Sequence, residues 1–389
     1  KLPVHQGHFF NWYHTIDRHA LEPRYISSVD NGNLAGHLLA VAQALEAILK
    51  NPLKLIFPKE GICSDSLRLL KDAISLSKVQ DEKRNLIVDQ AQIIAAANEL
   101  DKLLLMPSIL DKFTYWKMLS SKAETLVDLS RTFVDERGEF NNSEILYWSE
   151  MVEAEIASHR KDLVFFDSGS TTTDISDIAT NAIERINKRI NFLVNLCREL
   201  FKQMDFNFLY EHSRKLFSIG YRLSDNSLDA SYYDLLASEA RLLSFIAIAK
   251  GDVSSKHWFR LGRALTPINE GVALVSWSGS MFEYLMPSLV MNTPVGSLLE
   301  QTCRLVVKKQ ILYGAQKSVP WGISESAYNE RDVNFTYQYS NFGIPGLGLK
   351  RGLENDLVIS PYSTILAAMY DPLSAAKNIK QLSIGSNFA

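Results

Sequence analysis

The sequence predicts a predominantly α-helical protein that displays a binding surface on loops. Three observations carry this expectation. Apolar residues recur at helical spacing through the first half of the chain. From about Phe217 onward glycine, tryptophan, tyrosine and proline become frequent, and the loops between helical runs lengthen. With 389 residues, 46% of them hydrophobic, the chain can bury a large core.

Residues 34–49 combine dense apolar residues with small ones and read as a buried helix. Residues 64–79 open on Ser64-Asp65-Ser66, good helix-capping types, and carry Leu67, Leu69, Leu70, Ile74 and Leu76 on one stripe. Further helices are expected at 82–105, 108–135, 141–164 and 173–205. The last opens on Thr173-Asp174 and carries Ile175, Ile178, Ile183, Ile186, Ile190, Leu193, Val194 and Cys197. Together they form an antiparallel array joined by loops such as 134–138. In the second half, 218–223 and 228–234 flank a turn at Ser224-Asp225-Asn226, the pattern of a short hairpin. Helices are expected at 233–249, 280–292, 295–315 and 361–381. The division is 1–205, a helical region, and 206–389, the part carrying the cleft.

Net charge is −3 and the pI about 6.3, and the densest basic pairs are only Lys308-Lys309 and Lys350-Arg351, so no nucleic-acid partner is expected. Cys63, Cys197 and Cys303 have no CxxC spacing and read as reduced, buried thiols. His5, His8, His14 and His19 cluster in sequence but lack the spacing of a metalloprotease helix, so no metal is expected. Gly343–Leu349 is glycine-rich without a following GK[ST] or a preceding strand, which argues against nucleotide; no cofactor is implied. No stretch reaches the length of a membrane span and no signal peptide opens the chain. The start at Lys1-Leu2-Pro3, without Met, reads as a piece of something longer.

The chemistry concentrates between Pro320 and Pro361. Trp321-Gly322-Ile323-Ser324-Glu325 sets a tryptophan beside a carboxylate, with Asn329, Tyr337, Gln338 and Tyr339 following. Aromatic faces cover the apolar side of a pyranose, amides and hydroxyls bond its OH groups, and a carboxylate can act on a glycosidic bond. Glu325 is the first candidate, in a small-residue loop where Gly322 permits close approach. Glu239 is the second, within a stretch so apolar that any helix there is largely buried. Its carboxylate must be paired, as with Arg241, or face a cleft; unpaired burial raises its pKa and suits a proton donor. Glu283, in an apolar, aromatic helix start, bonds substrate hydroxyls or holds Tyr or Arg side chains. Glu354 and Asp356 read as exposed or structural.

Several longer strings resemble the cyclic β-1,2-glucan synthases: Ser28-Val29-Asp30-Asn31-Gly32 followed by Asn33-Leu34-Ala35-Gly36-His37-Leu38, then 277–287, Trp321–Glu325 and 346–353. The similarity is to the glucoamylase-like cyclization domain and runs from about His8 onward. It implies an all-α fold, an (α/α)6-barrel preceded by a helical region and incomplete at the C-terminus, since the family continues into further helices. It implies a place on the cytoplasmic side of the bacterial inner membrane, in a membrane-bound polypeptide with glycosyltransferase and phosphorylase-like domains. It also implies transglycosylation with net retention, a linear β-1,2-glucan closing onto its own 2-OH.

The family pattern maps onto Glu239 and Glu325. Glu325 is assigned as nucleophile and Glu239 as acid/base, with the reversed roles open. Trp277, Trp321, Tyr337, Tyr339 and Tyr362 are expected as platforms and hydroxyl binders, and Tyr232, Asp234, Arg241, Glu283, Asn329 and Gln338 as polar lining. An endo-β-1,2-glucanase, with water as acceptor, and a non-catalytic glucan-binding domain are the competing readings; placement of both glutamates on one groove separates the last from the enzymes.

Overall fold

Helical periodicity in the sequence is matched by a mainly helical architecture. The computed structural model describes residues 2–50, 63–77, 87–105, 112–138, 143–167, 175–268, 271–333 and 337–384. Contacts gather the chain into two compact units, Ala44–Leu193 and Lys1–Gln43 with Val194–Ala389. The boundaries fall within two long helices, α1 (Ser28–Leu49) and α6 (Ile175–Gln203), rather than at the expected division at 205/206.

The first unit is the expected helical array. Helices α2 (Ser64–Leu76), α3 (Gln90–Leu105), α4 (Lys112–Asp135) and α5 (Glu144–Asp167) pack around Leu67, Leu70, Ile93, Leu100, Leu119, Leu126, Phe133 and Val152. The cap expected from Ser64-Asp65-Ser66 is not formed. Cys63 holds the cap position in a left-handed conformation (φ 58°) without a side-chain bond, and Ser66 is turned inward, donating to Glu155 at 2.8 Å. The helix expected from 82 begins at Gln90, where Asp89 and Gln92 bond each other's backbone N–H groups at 2.8 and 2.9 Å. Residues 82–86 lie outside the described residues.

The second unit mixes helices with small antiparallel sheets. Strands β1 (Val4–His5) and β2 (His8–Phe9) pair as a hairpin. Strand β3 (Tyr25–Ser27) returns to pair with β6 (Gly220–Arg222), which pairs in turn with β7 (Ser227–Leu228), forming the expected hairpin across 224–226. Beside them β4 (Tyr210–Glu211), β5 (Leu216–Ser218) and β8 (Tyr232–Tyr233) form a second sheet. Then follow α7 (Arg241–Lys250), α8 (Lys256–Arg260), the hairpin β9 (Leu265–Ile268) and β10 (Gly271–Leu274), α9 (Met281–Leu285) and α10 (Leu298–Lys317). The hairpin β11 (Ser326–Arg331) and β12 (Tyr337–Ser340) precedes α11 (Pro361–Ala367) and α12 (Pro372–Ile384).

Three helix expectations are corrected here. The run 233–249 becomes helical only at Arg241, because Tyr232-Tyr233 are taken into a sheet and a turn follows. Residues 361–381 break between α11 and α12, where Pro372 cannot continue the first helix. The run 280–292 ends as α9 followed by a 3-10 turn, Met286–Leu289, containing Pro287.

One core of this unit joins Phe10, Ile26, Ala35, Phe206, Phe217, Leu242, Leu243 and Ile246; another joins Leu274, Met281, Tyr284, Val306, Trp321, Ile344, Leu347 and Ala375. Helices α1 and α7 meet at backbone range through Gly32 and Gly36. A Cβ added at Gly32 would lie 2.4 Å from Leu243 Cβ, and one at Gly36 3.0 Å from Leu242 Cδ2. Contrary to the expectation that no stretch is long enough, α1, with 22 residues and a mean hydropathy of 1.2, has the length and composition of a membrane span. Apart from Ala42, only its first part is buried, through Ser28, Val29, Asn31, Gly32, Ala35 and Gly36, where it meets α7. Cys63 and Cys303 are buried as expected, whereas Cys197 is only half-buried.

Candidate active site

Glu325 ends a loop held on all sides. Trp321 is 7% exposed, its backbone N–H donating to Asn378 Oδ1 at 3.0 Å and its carbonyl accepting from Asn378 Nδ2 at 2.7 Å. Gly314 leaves room for it, since a Cβ there would lie 2.7 Å from Trp321 Cβ. Gly322 follows at φ 122°, a conformation closed to other residues, packed against Ser363 and Thr364. Gln310 then brackets Ile323, donating to its carbonyl at 2.8 Å and accepting its N–H at 2.9 Å. Ser324 accepts from the Phe282 N–H at 3.0 Å and the Tyr362 hydroxyl at 2.9 Å, and Tyr362 also reaches the Glu325 carbonyl at 2.9 Å. Trp321 is therefore a core anchor and not the expected sugar platform: the deepest ring position in this loop is closed to solvent.

Glu239 lies in the turn before α7, half-buried, with its carbonyl accepting the Leu242 N–H at 3.2 Å. Arg241, expected as its partner or as cleft lining, is fully buried. Its guanidinium donates to the backbone carbonyls of Ser238, Glu283 and Tyr284, holding two chain turns together. Glu283, expected to meet substrate hydroxyls, is also buried. It accepts from the hydroxyls of Ser276 and Ser278 at 2.7 and 2.8 Å and from the Ser278 and Ser280 N–H groups, closing a capping box on α9. Its Oε2 is the main acceptor of these bonds, and it holds the 276–280 loop that carries Trp277.

That loop lies against the glycine-rich segment. Leu349 and Lys350 N–H groups donate to Ser276 and Trp277 carbonyls, and a Cβ at Gly343 would lie 1.8 Å from Ser278 O. The glycines thus serve backbone contact. Trp277, Tyr339 and Tyr362 are left 57%, 55% and 38% exposed, as aromatic faces available to a ligand.

The two glutamates act on each other. Burial, then the charges of Glu325, Glu283 and Asp30, push the Glu239 carboxyl up to about 8. Burial and the Glu283 charge push Glu325 up to about 7, while a hydrogen bond from Tyr339 favours its ionised form. Tyr362 is pushed up to about 12 by burial and by the charges of Glu325 and Glu239, and the hydroxyls of Tyr339 and Tyr233 are raised for the same reasons. Of the two carboxyls, Glu239 keeps its proton to higher pH and Glu325, bonded by Tyr339, gives its proton up first, a difference on which acid and nucleophile roles can be built.

Sequence reasoning missed Tyr233 and Asp30. Tyr232 was expected in the lining, but successive strand residues face opposite ways, and Tyr232 lies under the Arg214 guanidinium at 4.7 Å. Tyr233 is the residue of β8 that feels Glu239, Asp30 and Glu325. Asp234 is exposed just beyond this strand, its carbonyl accepting the Gly262 N–H at 2.6 Å. Gln338 sits half-buried opposite Tyr328 in the β11–β12 hairpin. Asn329 and Tyr337 belong to the same hairpin, and their side chains lie outside the described residues. Glu354 and Asp356 are exposed. Away from this site, His14 and His19 converge on Asp17 at 2.9 and 2.5 Å, an exposed group that the spacing of the histidines did not foreshadow.

Residues 231–387, which hold both glutamates, match the family Glycoamylase, described as putative glucoamylase. Over an alignment of 391 positions that covers 98% of its length, the chain is 42% identical to Cyclic beta-(1,2)-glucan synthase NdvB of Rhizobium meliloti (strain 1021). The resemblance read from the sequence is thereby shown. The chain spans only 13% of the length of that relative.

Proposed function

We propose that this chain is a retaining transglycosylase that cyclises linear β-1,2-glucan, with Glu239 as acid/base and Glu325 as nucleophile. The observation that carries the reading is the coupled pair itself: two half-buried carboxyls, both held well above the carboxylate range, bordered by exposed Trp277, Tyr339 and Tyr362. The glucan and the ring-closing transfer come from the similarity to the synthase named above.

In the first step Glu239 protonates the leaving glycosidic oxygen while Glu325 attacks the anomeric carbon, giving a glycosyl-enzyme and a free chain end. In the second, Glu239, now ionised, takes the proton of the incoming 2-OH as that oxygen displaces Glu325, and both carboxyls return to their starting states. Trp277, Tyr339 and Tyr362 stack against or bond the sugar rings. On this reading the helices belong to an (α/α)6-barrel. The chain works inside a larger membrane-bound synthase on the cytoplasmic side of the inner membrane, beside glycosyltransferase and phosphorylase-like domains.

The test is incubation with linear β-1,2-glucan and mass analysis of products, with Glu239→Gln and Glu325→Gln alongside. Rings, one water lighter than linear chains of equal length, are expected from the wild type and from neither variant. Shorter linear products alone would make it a hydrolase, and turnover by either variant would remove that residue from the pair.

A further inference from the structure

Asp30 has no part in the mechanism above, yet the fold delivers it to the same place. Its backbone is fixed from several directions. The Ser27 hydroxyl accepts the Asp30 N–H at 3.2 Å, and the Ser28 N–H donates to Ile219 O at 3.0 Å. The neighbouring Asn31 bonds Phe9 on both sides of its peptide, accepting its N–H at 2.9 Å and donating to its carbonyl at 3.0 Å. Two residues on, Gly32 brings α1 to backbone range of Leu243 in the first turn of α7, the helix that Glu239 immediately precedes. Asp30 and Glu239 thus stand at the starts of two helices that touch.

An aspartate in the first turn of a helix commonly just complements the helix dipole. Here Ser27 already accepts the Asp30 N–H. Among the described residues the Asp30 side chain has no hydrogen bond or ion pair, and it is exposed. Its charge is nevertheless felt by Tyr25 and Tyr233, the two tyrosines of the flanking sheets, and by both glutamates. Tyr25 lies over Gly220, where a Cβ would come within 2.2 Å of its hydroxyl oxygen, so only glycine there leaves room for the ring.

We propose that Asp30 is a substrate-binding residue on the Glu239 side of the cleft, its carboxylate accepting hydrogen bonds from the hydroxyls of a glucosyl unit. This rests on the reading of the site as a glucan cleft and deepens it. An ionised carboxylate only accepts hydrogen bonds, which suits a polyol whose every hydroxyl can donate. The charge of Asp30, added to those of Glu325 and Glu283 that act on Glu239, disfavours anionic sugars, so an unsubstituted, neutral glucan is the ligand class that fits.

The experiment measures binding of linear β-1,2-glucan oligosaccharides by calorimetry in the Glu325→Gln background, with Asp30→Asn and Asp30→Ala added, and KM and kcat for both in the wild-type background. At least tenfold weaker binding is expected for Asp30→Ala, with KM rising more than kcat falls and the melting temperature kept. A glucan bearing anionic substituents should gain affinity from Asp30→Asn relative to neutral glucan. Unchanged affinity and KM for both variants, with glucan still bound, would overturn this role alone. No binding and no turnover by the parent proteins would instead overturn the glucan reading. Should Asp30→Ala unfold, the isosteric Asn variant decides the matter.

Discussion

At the residue scale, the site depends on carboxyls that keep protons they would normally lose. A free glutamate ionises near 4.3, whereas Glu239 is held at about 8. Between those values the folded state holds more protons than the unfolded state, so stability falls as pH rises through that window and levels off above it. Glu239→Gln removes this penalty. The variant is expected to lose transfer activity by at least about 1000-fold, as removal of a general acid does. It should also melt higher than the wild type at pH 8.5, by about 1–3 kcal/mol after allowing for partial exposure. The two should converge at pH 4; equal melting curves at pH 8.5 would refute the strained carboxyl. Activity should follow a narrow bell with limbs near 7 and 8, the macroscopic values of the pair. Tyr339→Phe deletes the donor that favours ionised Glu325, so its acidic limb should move to higher pH in a measured pH–rate profile. That Glu239 and Glu325 sit in partly buried surroundings was legible in the sequence, because each stands amid apolar and aromatic residues. Trp321, Arg241 and Glu283 were misplaced because residue type does not disclose direction: all three are buried, Arg241 and Glu283 bonding backbone and Trp321 packing in the core.

At the scale of elements, glycines and one amide set the cleft's walls. Asn378 on α12 satisfies both backbone groups of buried Trp321 and donates to Thr364 Oγ1 at 2.9 Å. Asn378→Ala strands those groups away from water and is expected to cost about 2–4 kcal/mol in urea unfolding. It should also lower kcat, since the loop to Glu325 loses its anchor; unchanged stability would mean the loop is held from elsewhere. Gly32→Ala drives a methyl into Leu243 and should cost about 1–3 kcal/mol. Helices with strong stripes were legible, and 295–315 was placed within three residues of α10 at each end. The start of α7, and the turn before it that carries Glu239, was not, because Tyr232-Tyr233 join a sheet whose partner strand lies some fifteen residues upstream. Local periodicity carries no trace of such pairing.

For the whole molecule, the decisive pairing is longer still. Strand β3 joins β6 almost two hundred residues later, drawing the N-terminal arm and Asp30 into the unit that holds both glutamates. A division read along the chain at 205/206 follows the change in composition and has no access to that return. The consequence is thermodynamic. Among the described residues the core of 44–193 has no member in common with the two cores of the other unit, so each unit has a core of its own on which to melt. Every residue assigned to the cleft, Asp30 included, lies in 1–43 or 194–389. A ligand that binds only the folded form of one unit stabilises that unit, by about 2.7 kcal/mol at a hundred times its Kd. Scanning calorimetry should therefore resolve two transitions, and linear β-1,2-glucan should raise only one of them. Hydrogen exchange would identify the protected transition by slowed amides in α1, α7 and the 321–325 loop, with α2 to α5 unaffected. A single transition that moves as a whole would show instead that the two units unfold as one cooperative body, and that glucan binding is felt through the helices that join them.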